Sequence, residues 1–294
     1  MERQRMKEGF LKRAEGHVWY GVAGEETVRA PLLVVHGGPG APHDYLEPLE
    51  RLAVGRQVIF YDQLGCGNSD RPDSFDGWTL DYFTDELTDV IRMLGLHDVH
   101  LLGQSYGAML ALNAMLKEPS LKVRSLTLSG PCLSSRRFAL DQRPHIDALD
   151  EVHRQAILEG ERRGVYDSEA YQDAMMAFYR KHVCRMDPWP ECLERAMSKM
   201  GEDVYHTMWG PSEFTLTGNL KDVDLTGRLR EIDVPVLLTC GAFDEATPQT
   251  ISEYKSMFKD ARMVIFEDGS HEHHLEHEEA YLAIVDTFLD DTGF

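Results

Sequence analysis

Basic residues are scarce in this chain of 294 residues. Lysine and arginine together number 30, against 50 aspartates and glutamates, which gives a formal net charge of −20. Proteins that bind nucleic acid hold its phosphates with lysine and arginine, so this balance argues against a nucleic-acid partner. An acidic surface favours solubility and gives a modest preference for cationic ligands.

Cysteines and long apolar runs are also few. The five cysteines are an odd number at irregular spacings, which argues against a disulfide framework and favours a reducing compartment. No run approaches the roughly 18 consecutive apolar residues of a membrane span, and the charged start of the chain contains no apolar segment typical of a signal peptide. We therefore predict a cytoplasmic protein with no membrane partner.

Short apolar segments alternate with helical patterns through most of the chain. The helical patterns cover 79–95, 105–117, 249–258 and 277–290, and the segments that read as strands cover 17–22, 31–37, 57–63, 99–105, 123–130, 234–241 and 261–268. Continuous apolar strands separated by helices predict an α/β fold, with a mostly parallel central sheet and helices on both faces.

The middle of the chain interrupts this alternation. Between Ser134 and Gly227 there is no apolar strand segment, only polar helical segments rich in arginine, glutamate and methionine. Because the interval lies between two strands of the predicted sheet, we predict a helical cap inserted at 134–227, with the α/β core formed by 1–133 and 228–294. Such an insertion in an α/β enzyme covers the carboxyl ends of the strands, where ligands bind.

The sequence Gly-Gln-Ser-Tyr-Gly at 103–107 carries the strongest chemical signal. It follows the apolar segment 99–102 and begins a predicted helix, which is the context of a G-x-S-x-G nucleophile elbow. The glycines two residues before and two residues after Ser105 permit a tight turn that presents its hydroxyl at a helix N-terminus. We therefore predict that Ser105 is a nucleophile.

A serine nucleophile needs a histidine base, and that histidine needs a carboxylate to fix its tautomer. In this architecture the acid and then the histidine follow the serine along the chain. Asp244 and His271 each follow a predicted strand, so we assign them as acid and base. Alternative acids are Glu245 and Asp268, and the alternative bases are His273, His274 and His277.

The glycine-rich segment His-Gly-Gly-Pro-Gly at 36–40 follows another predicted strand. A serine hydrolase needs two backbone N–H groups that stabilise the oxyanion, one from the residue after the serine and one from a loop of this kind. We therefore predict that the amides of Gly38 and Tyr106 form the oxyanion hole. The alternative is a dinucleotide-binding loop at 38–43, but that stretch lacks the final glycine of the motif and contains two prolines.

Two further side-chain patterns have alternative interpretations. His273 and His277 are four residues apart, which on one helix would suit a metal ion, although no third ligand is evident and we predict a solvated helix start. Cys66 lies between two glycines, but without a helix start or a dedicated histidine we interpret it as a small packed residue. The tryptophans at 78, 189 and 209 are candidates either for a pocket or for the core.

The four motifs together resemble one family. The segments HGGPG (36–40), YDQLGCGNSDRPD (61–73), GQSYGAM (103–109) and GAFDEATP (241–248) are similar to those of the prolyl aminopeptidases, or proline iminopeptidases, which are serine-type α/β-hydrolases. The likeness runs from about Val18 to Leu289. It is closest to the branch that includes tricorn-interacting aminopeptidase and the amino-acid amide hydrolases.

This resemblance implies an α/β-hydrolase fold with a helical cap and an activity that releases an N-terminal residue, proline or another small or apolar one, through an acyl-enzyme. It also implies that Glu213 and Glu245 bind the free amine of a peptide or amide substrate, and that no metal or organic cofactor is needed. Alternative activities with the same machinery are hydrolysis of amino-acid amides and of esters or lactones. The sequence gives no prediction of the oligomeric state.

Overall fold

A computed structural model describes residues 6–293 of the chain. The start of the chain at 1–5, part of the charged stretch in which we expect no signal peptide, lies outside the described residues. The eight strands are β1 (Lys7–Lys12), β2 (His17–Ala23), β3 (Leu32–Val35), β4 (Val58–Tyr61), β5 (Val99–Gln104), β6 (Val123–Ser129), β7 (Val236–Gly241) and β8 (Ala261–Phe266).

Eleven α-helices and three 3₁₀ helices surround these strands within the described part of the chain. The α-helices are α1 (Leu80–Met93), α2 (Tyr106–Lys117), α3 (Ser135–Asp141), α4 (Arg143–Asp147), α5 (Glu151–Arg163), α6 (Glu169–His182), α7 (Glu191–Ser198), α8 (Glu202–Met208), α9 (Pro248–Met257), α10 (His273–Glu276) and α11 (Glu278–Asp291). The 3₁₀ helices are His43–Leu52, Asn219–Asp222 and Thr226–Glu231.

All eight strands belong to one sheet, in the order β1-β2-β4-β3-β5-β6-β7-β8. Strands β3 to β8 run parallel, whereas β1 and β2 are antiparallel to their neighbours. The central strands β3, β4 and β5 are buried along their whole length, which explains their continuous apolar sequences. The predicted α/β architecture with a mostly parallel sheet is therefore confirmed.

Helices cover both faces of the sheet. Successive side chains of β3 alternate between the faces, so Val34 and Val35 belong to different clusters of the core. Helices α1, α2 and α9 pack on the face that contains Val35. Helix α11 and the 3₁₀ helix His43–Leu52 pack on the opposite face.

Helices alone occupy the chain between β6 and β7. This interval, called the helical insertion below, holds α3 to α8 and the two later 3₁₀ helices. It has a small core of its own around Tyr171, Phe178 and Phe214. Its two ends meet in an isolated β-bridge between Ser134 and Asp224. The helical content agrees with the sequence, and the division at 134–227 into a cap and a core remains a prediction.

The motif residues all follow the carboxyl ends of parallel strands. Gly38 follows β3, Ser105 follows β5, Asp244 follows β7 and His271 follows β8. Because parallel strands end at the same edge of the sheet, residues distant in sequence are brought to one edge. No helix within residues 6–293 is long and apolar enough to cross a membrane.

Candidate active site

Ser105 occupies a strained turn between β5 and α2. Its φ of 55° and ψ of −121° lie outside the conformations that L-residues commonly adopt. A Cβ atom on Gly103 would lie 2.4 Å from the carbonyl oxygen of Gly107, and one on Gly107 would lie 2.2 Å from that of Val35. Both glycines are therefore required by close backbone packing, and the turn presents Ser105 to the cavity described below.

His271 is positioned by Asp244, by the backbone at the end of α6 and by Gly130. Its Nδ1 lies 2.8 Å from Oδ1 of Asp244, and its main-chain N–H donates to the carbonyl of His182. The imidazole packs against Gly130, where an added Cβ would lie 2.9 Å from the ring and where φ is +52°. Only a residue without a side chain leaves room for the ring at this position.

Asp244 is completely buried and accepts hydrogen bonds that hold it ionised. Besides His271, the main-chain N–H groups of Ala246 and Gly241 donate to its two carboxylate oxygens at 2.8 and 3.2 Å. Burial alone would raise the pKa of this carboxyl, but the charge and hydrogen bond of His271 hold it well below its usual range. Asp244 can therefore fix the tautomer of His271 and stabilise its protonated form.

The alternative bases have other hydrogen-bonding partners. Nε2 of His273 contacts the hydroxyls of Ser129 and Thr239 at 3.1 and 2.9 Å. Nε2 of His274 lies 3.0 Å from the carbonyl oxygen of Tyr45. His277 is stacked on the ring of Phe266, between α10 and α11.

His273 and His277 therefore do not lie on one helix, which removes the geometric basis of the alternative metal site. Within the described range, no group of three or more histidine, cysteine, aspartate or glutamate side chains could hold a metal ion. Cys66 is buried, and its thiol donates to the carbonyl of Gln63. Burial raises the pKa of Cys66 well above its ordinary value, so the thiol is poorly suited to act as a nucleophile.

One cavity of about 330 Å³ brings the candidate groups together. It is lined by Ser105, His271, Gly38 and Glu213 among others. Of the three tryptophans singled out in the sequence, Trp189 lines it, whereas Trp78 and Trp209 belong to the hydrophobic core. No hydrogen bond joins Ser105 to His271 in the described structure, and such contacts often tighten only when substrate binds.

The Gly38 loop lies beside the serine with its backbone in a special conformation. Gly38 has a φ of +103°, and the N–H of the preceding Gly37 donates to the Tyr45 hydroxyl. Tyr106 is the first residue of α2, where a helix leaves its N–H groups without intrahelical acceptors. The arrangement can supply two backbone donors, and the assignment of Gly38 and Tyr106 to an oxyanion hole remains a prediction.

Glu213, which is partly buried, lines this cavity, and the completely buried Glu245 lies beside it. The hydroxyl of Tyr205 donates to Oε1 of Glu213 at 2.7 Å. The hydroxyl of Tyr179 accepts from the main-chain N–H of Glu213. Glu245 is fully buried, does not itself line the cavity, and has no hydrogen-bond donor on either carboxylate oxygen. Its Oε1 lies 3.7 Å from Nε2 of His271.

The electrostatics of this pair favour a bound cation. Burial raises the pKa of Glu213, and burial together with the charge of Glu213 raises that of Glu245 well above its ordinary value. Two close buried carboxylates without a cation repel each other, so the proton affinity of the pair rises. An ammonium group placed between them would relieve both the burial cost and the repulsion.

Glu272 is a cavity-lining carboxylate that the sequence analysis did not identify. It directly follows His271 in the run rich in histidine and glutamate, and only 5% of its surface is exposed. The sequence offered one signal, the acidic residue next to the assigned base. That signal does not reveal that the side chain lines a cavity.

Comparisons with known proteins agree with this geometry. Residues 30–278 match the family described as having the alpha/beta hydrolase fold. The proline iminopeptidase of Heyndrickxia coagulans is 42% identical over 283 residues, which cover 96% of this chain and 98% of that protein.

Two crystal structures are also similar over nearly the whole chain. The proline iminopeptidase of Mycobacterium smegmatis has a TM-score of 0.89 at 36% identity and covers 98% of this chain and 99% of its own. A protein called VinJ has a TM-score of 0.93 at 33% identity, with coverages of 98% and 100%.

Proposed function

The chain belongs to the proline iminopeptidase family of α/β-hydrolases, as its motifs predicted, and we propose that it is a serine aminopeptidase that releases an N-terminal proline, or another small or apolar residue, from peptides. The observation that carries the proposal is the shared cavity of Ser105, His271 and Glu213. That a candidate nucleophile, a candidate base and a partly buried carboxylate line the same cavity supports a substrate with an amine. The substrate is a peptide or amide with a free N-terminal amine.

The free amine is proposed to bind between Glu213 and Glu245. Glu245 is completely buried and Glu213 is partly buried, and the oxygens of Glu245 have no donor among the described residues. An exopeptidase must measure one residue from the end of the chain, and a fixed charge contact with the terminal ammonium provides that measure. The carbonyl of the first residue would then lie at Ser105.

Proton transfer follows from the contact between His271 and Asp244. The Ser105 hydroxyl attacks the carbonyl carbon, and Nε2 of His271 accepts its proton while Asp244 stabilises the imidazolium. The amides of Gly38 and Tyr106 are proposed to stabilise the oxyanion, an interaction worth about 3–4 kcal/mol per donor. His271 then protonates the leaving amine, and water hydrolyses the acyl-enzyme in a second step.

The cavity favours a peptide over a small amide as substrate. It shares Gln172, His206 and Pro211 with a second groove between elements of the helical insertion. A leaving group longer than ammonia would have room to extend along this connection. The buried carboxylates likewise favour a substrate with an amine over a simple ester or lactone.

The cysteines support a place of action in the cytoplasm. All five are free thiols, and four of them are buried. A reducing compartment keeps such thiols from pairing, so we propose that the enzyme acts there.

Acylation of the substrate amine tests the proposal. Prolyl-, alanyl- and leucyl-anilides are compared with their N-acetylated forms and with a simple ester, using the wild type and Ser105→Ala. We expect hydrolysis of the free-amine anilides by the wild type only, and loss of that hydrolysis on acetylation. Equal rates with and without the acetyl group would reject the amine contact and favour an esterase.

A further inference from the structure

Glu272 is a cavity-lining carboxylate that the mechanism above does not use. Its main-chain N–H donates to the carbonyl of Val183 at 2.8 Å, which fixes the backbone beside His271. The side chain is more than nine-tenths buried and lines the cavity that contains Ser105, and its Oε2 has no hydrogen-bond partner within residues 6–293. A buried carboxylate with an unsatisfied oxygen is costly, and because the residue lines the cavity, a bound ligand can supply a donor to this carboxylate.

The neighbouring histidine cannot supply that donor. Nε2 of His274 lies 3.0 Å from the carbonyl oxygen of Tyr45, which only accepts, so the proton of the neutral ring is on Nε2. Nδ1 is then a bare acceptor, and it lies 3.4 Å from Oε2 of Glu272. Burial lowers the pKa of His274 to about 3 and raises that of Glu272 to about 8, and a cation bound at Glu272 would favour its charged form.

Glu272 and Glu213 are held by different parts of the fold. Glu213 belongs to the helical insertion and accepts a hydrogen bond from Tyr205 of α8. Glu272 follows β8 and lies beside His274, which contacts Tyr45 of the first 3₁₀ helix. An amine bound between Glu213 and Glu245 would therefore leave Glu272 available for another group of the substrate.

The described lining of the cavity carries several carboxylates and, apart from histidine, no cationic side chain. Among the described residues that line it there is no lysine or arginine, and the same holds for the groove that it joins. Asp167 lines that groove, and Glu202 lines the cavity. The tract therefore offers more carboxylates than one terminal ammonium can contact.

We propose that Glu272 is a specificity residue that binds a cationic side chain on the residue after the scissile bond. The enzyme then prefers peptides whose second residue is lysine or arginine. This inference rests on the proposed aminopeptidase activity, because that activity assigns the terminal amine to Glu213 and Glu245.

The test uses two peptides that differ in one charge, prolyl-lysine amide and prolyl-(Nε-acetyl)lysine amide. We expect the wild type to have a kcat/KM at least roughly tenfold higher for the lysine peptide, since a hydrogen bond between charged groups is among the stronger ones. Glu272→Gln should bring the ratio close to one and change kcat/KM for prolyl-anilide by less than about threefold. Glu272→Met, an apolar replacement of similar length, should lose the ratio in the same way, and thermal unfolding checks that both variants are folded.

A matched control makes the same charge change outside the cavity. Glu194 is exposed on α7, the helix that contributes Leu193 and Ala196 to the cavity wall. Glu194→Gln should therefore retain the wild-type ratio. A wild type without a preference, or a ratio that Glu272→Gln leaves unchanged, would overturn the inference. An equal loss for prolyl-anilide would also overturn it, because Glu272 would then act on the terminal amine or on His271.

Binding to an inactive variant separates this inference from the proposed activity. Calorimetric titration of Ser105→Ala with the two peptides should give tighter binding of the lysine peptide, and the preference should disappear when Glu272→Gln is added. Equal binding of the two peptides would reject the role of Glu272. A wild type that releases no proline from any substrate, while Ser105→Ala retains the binding preference, would reject the proposed activity alone.

Discussion

Glu245 lies close to the proposed base, so neutralising it should change the pH dependence of the reaction. Its Oε1 is 3.7 Å from Nε2 of His271, and both side chains are buried. Burial opposes a charge on His271, but the carboxylates of Asp244 and Glu245 outweigh it and raise the pKa of His271 to about 10. The imidazole accepts the Ser105 proton only when it is neutral, so activity rises as the pH increases through this pKa.

The isosteric change Glu245→Gln removes one of the two nearest charges that favour the imidazolium. At 3.7 Å and an effective dielectric constant of about 20, unit charges interact by about 4 kcal/mol. At about 1.4 kcal/mol per pKa unit, this interaction corresponds to about three units. Because burial and the charge of Glu213 raise the pKa of Glu245, removing this carboxyl should change the pKa of His271 by less than the full interaction. We therefore expect the acid limb of kcat/KM to move to lower pH by about one to two pH units.

The assay is the pH profile of kcat/KM with prolyl-anilide for the wild type, Glu245→Gln and Asp268→Asn. The substrate amine titrates identically in each profile, so differences between the profiles belong to the enzyme. Asp268 is exposed three residues before His271, and solvent screens its charge, so its variant should keep the wild-type limb. An unmoved limb in Glu245→Gln, or an equal shift in Asp268→Asn, would refute the reasoning.

Three further substitutions test other parts of the site. Ser105→Ala should lower kcat by at least about 10⁴-fold with an unchanged circular dichroism spectrum, and normal turnover would exclude Ser105 as nucleophile. Tyr205→Phe removes the hydroxyl that donates to Glu213 at 2.7 Å. Steady-state kinetics should therefore show a KM for prolyl-anilide that is roughly tenfold higher, with a smaller change in kcat. A loss confined to kcat would contradict a binding role for Glu213. Gly130→Ala places a Cβ 2.9 Å from the His271 ring at a φ of +52°. The free energy of unfolding, measured with urea, should therefore fall by about 1–2 kcal/mol, and kcat should fall as well. Unchanged stability would mean that the backbone adapts.

The parallel sheet could be predicted because its strands carry their own signal. Strands β3 and β5 are buried on both faces and have continuous apolar sequences. Such sequences can be recognised without knowledge of the tertiary structure. Strand β1 was missed for the opposite reason. Its residues Lys7–Lys12 are mostly charged or exposed, and among them only Leu11 is buried. The strand lies at the edge of the sheet and pairs with β2 alone. A charged edge strand of this kind resembles a loop in sequence.

The candidate nucleophile could also be predicted from local sequence, since Gly103 and Gly107 mark a turn whose geometry requires glycine. The environment of the carboxylates could not be predicted from the sequence. Glu245 and Glu272 each stand beside an assigned catalytic residue, and nothing in the sequence distinguishes a buried carboxylate without a donor from an exposed one. That difference arises from packing between β7, β8 and the helical insertion, which single-sequence patterns do not contain.

Glu245 connects the recognition of the amine with the chemistry of the base. In the free enzyme its charge stabilises a protonated His271, which is the unreactive form. An ammonium bound against Glu245 would compensate that charge and remove part of the stabilisation, so the imidazole would more readily be neutral when the proper substrate is present. A substrate without the amine leaves this electrostatic balance unchanged. Acetylation should therefore lower kcat as well as affinity, because one buried carboxylate both recognises the substrate and sets the proton affinity of the base.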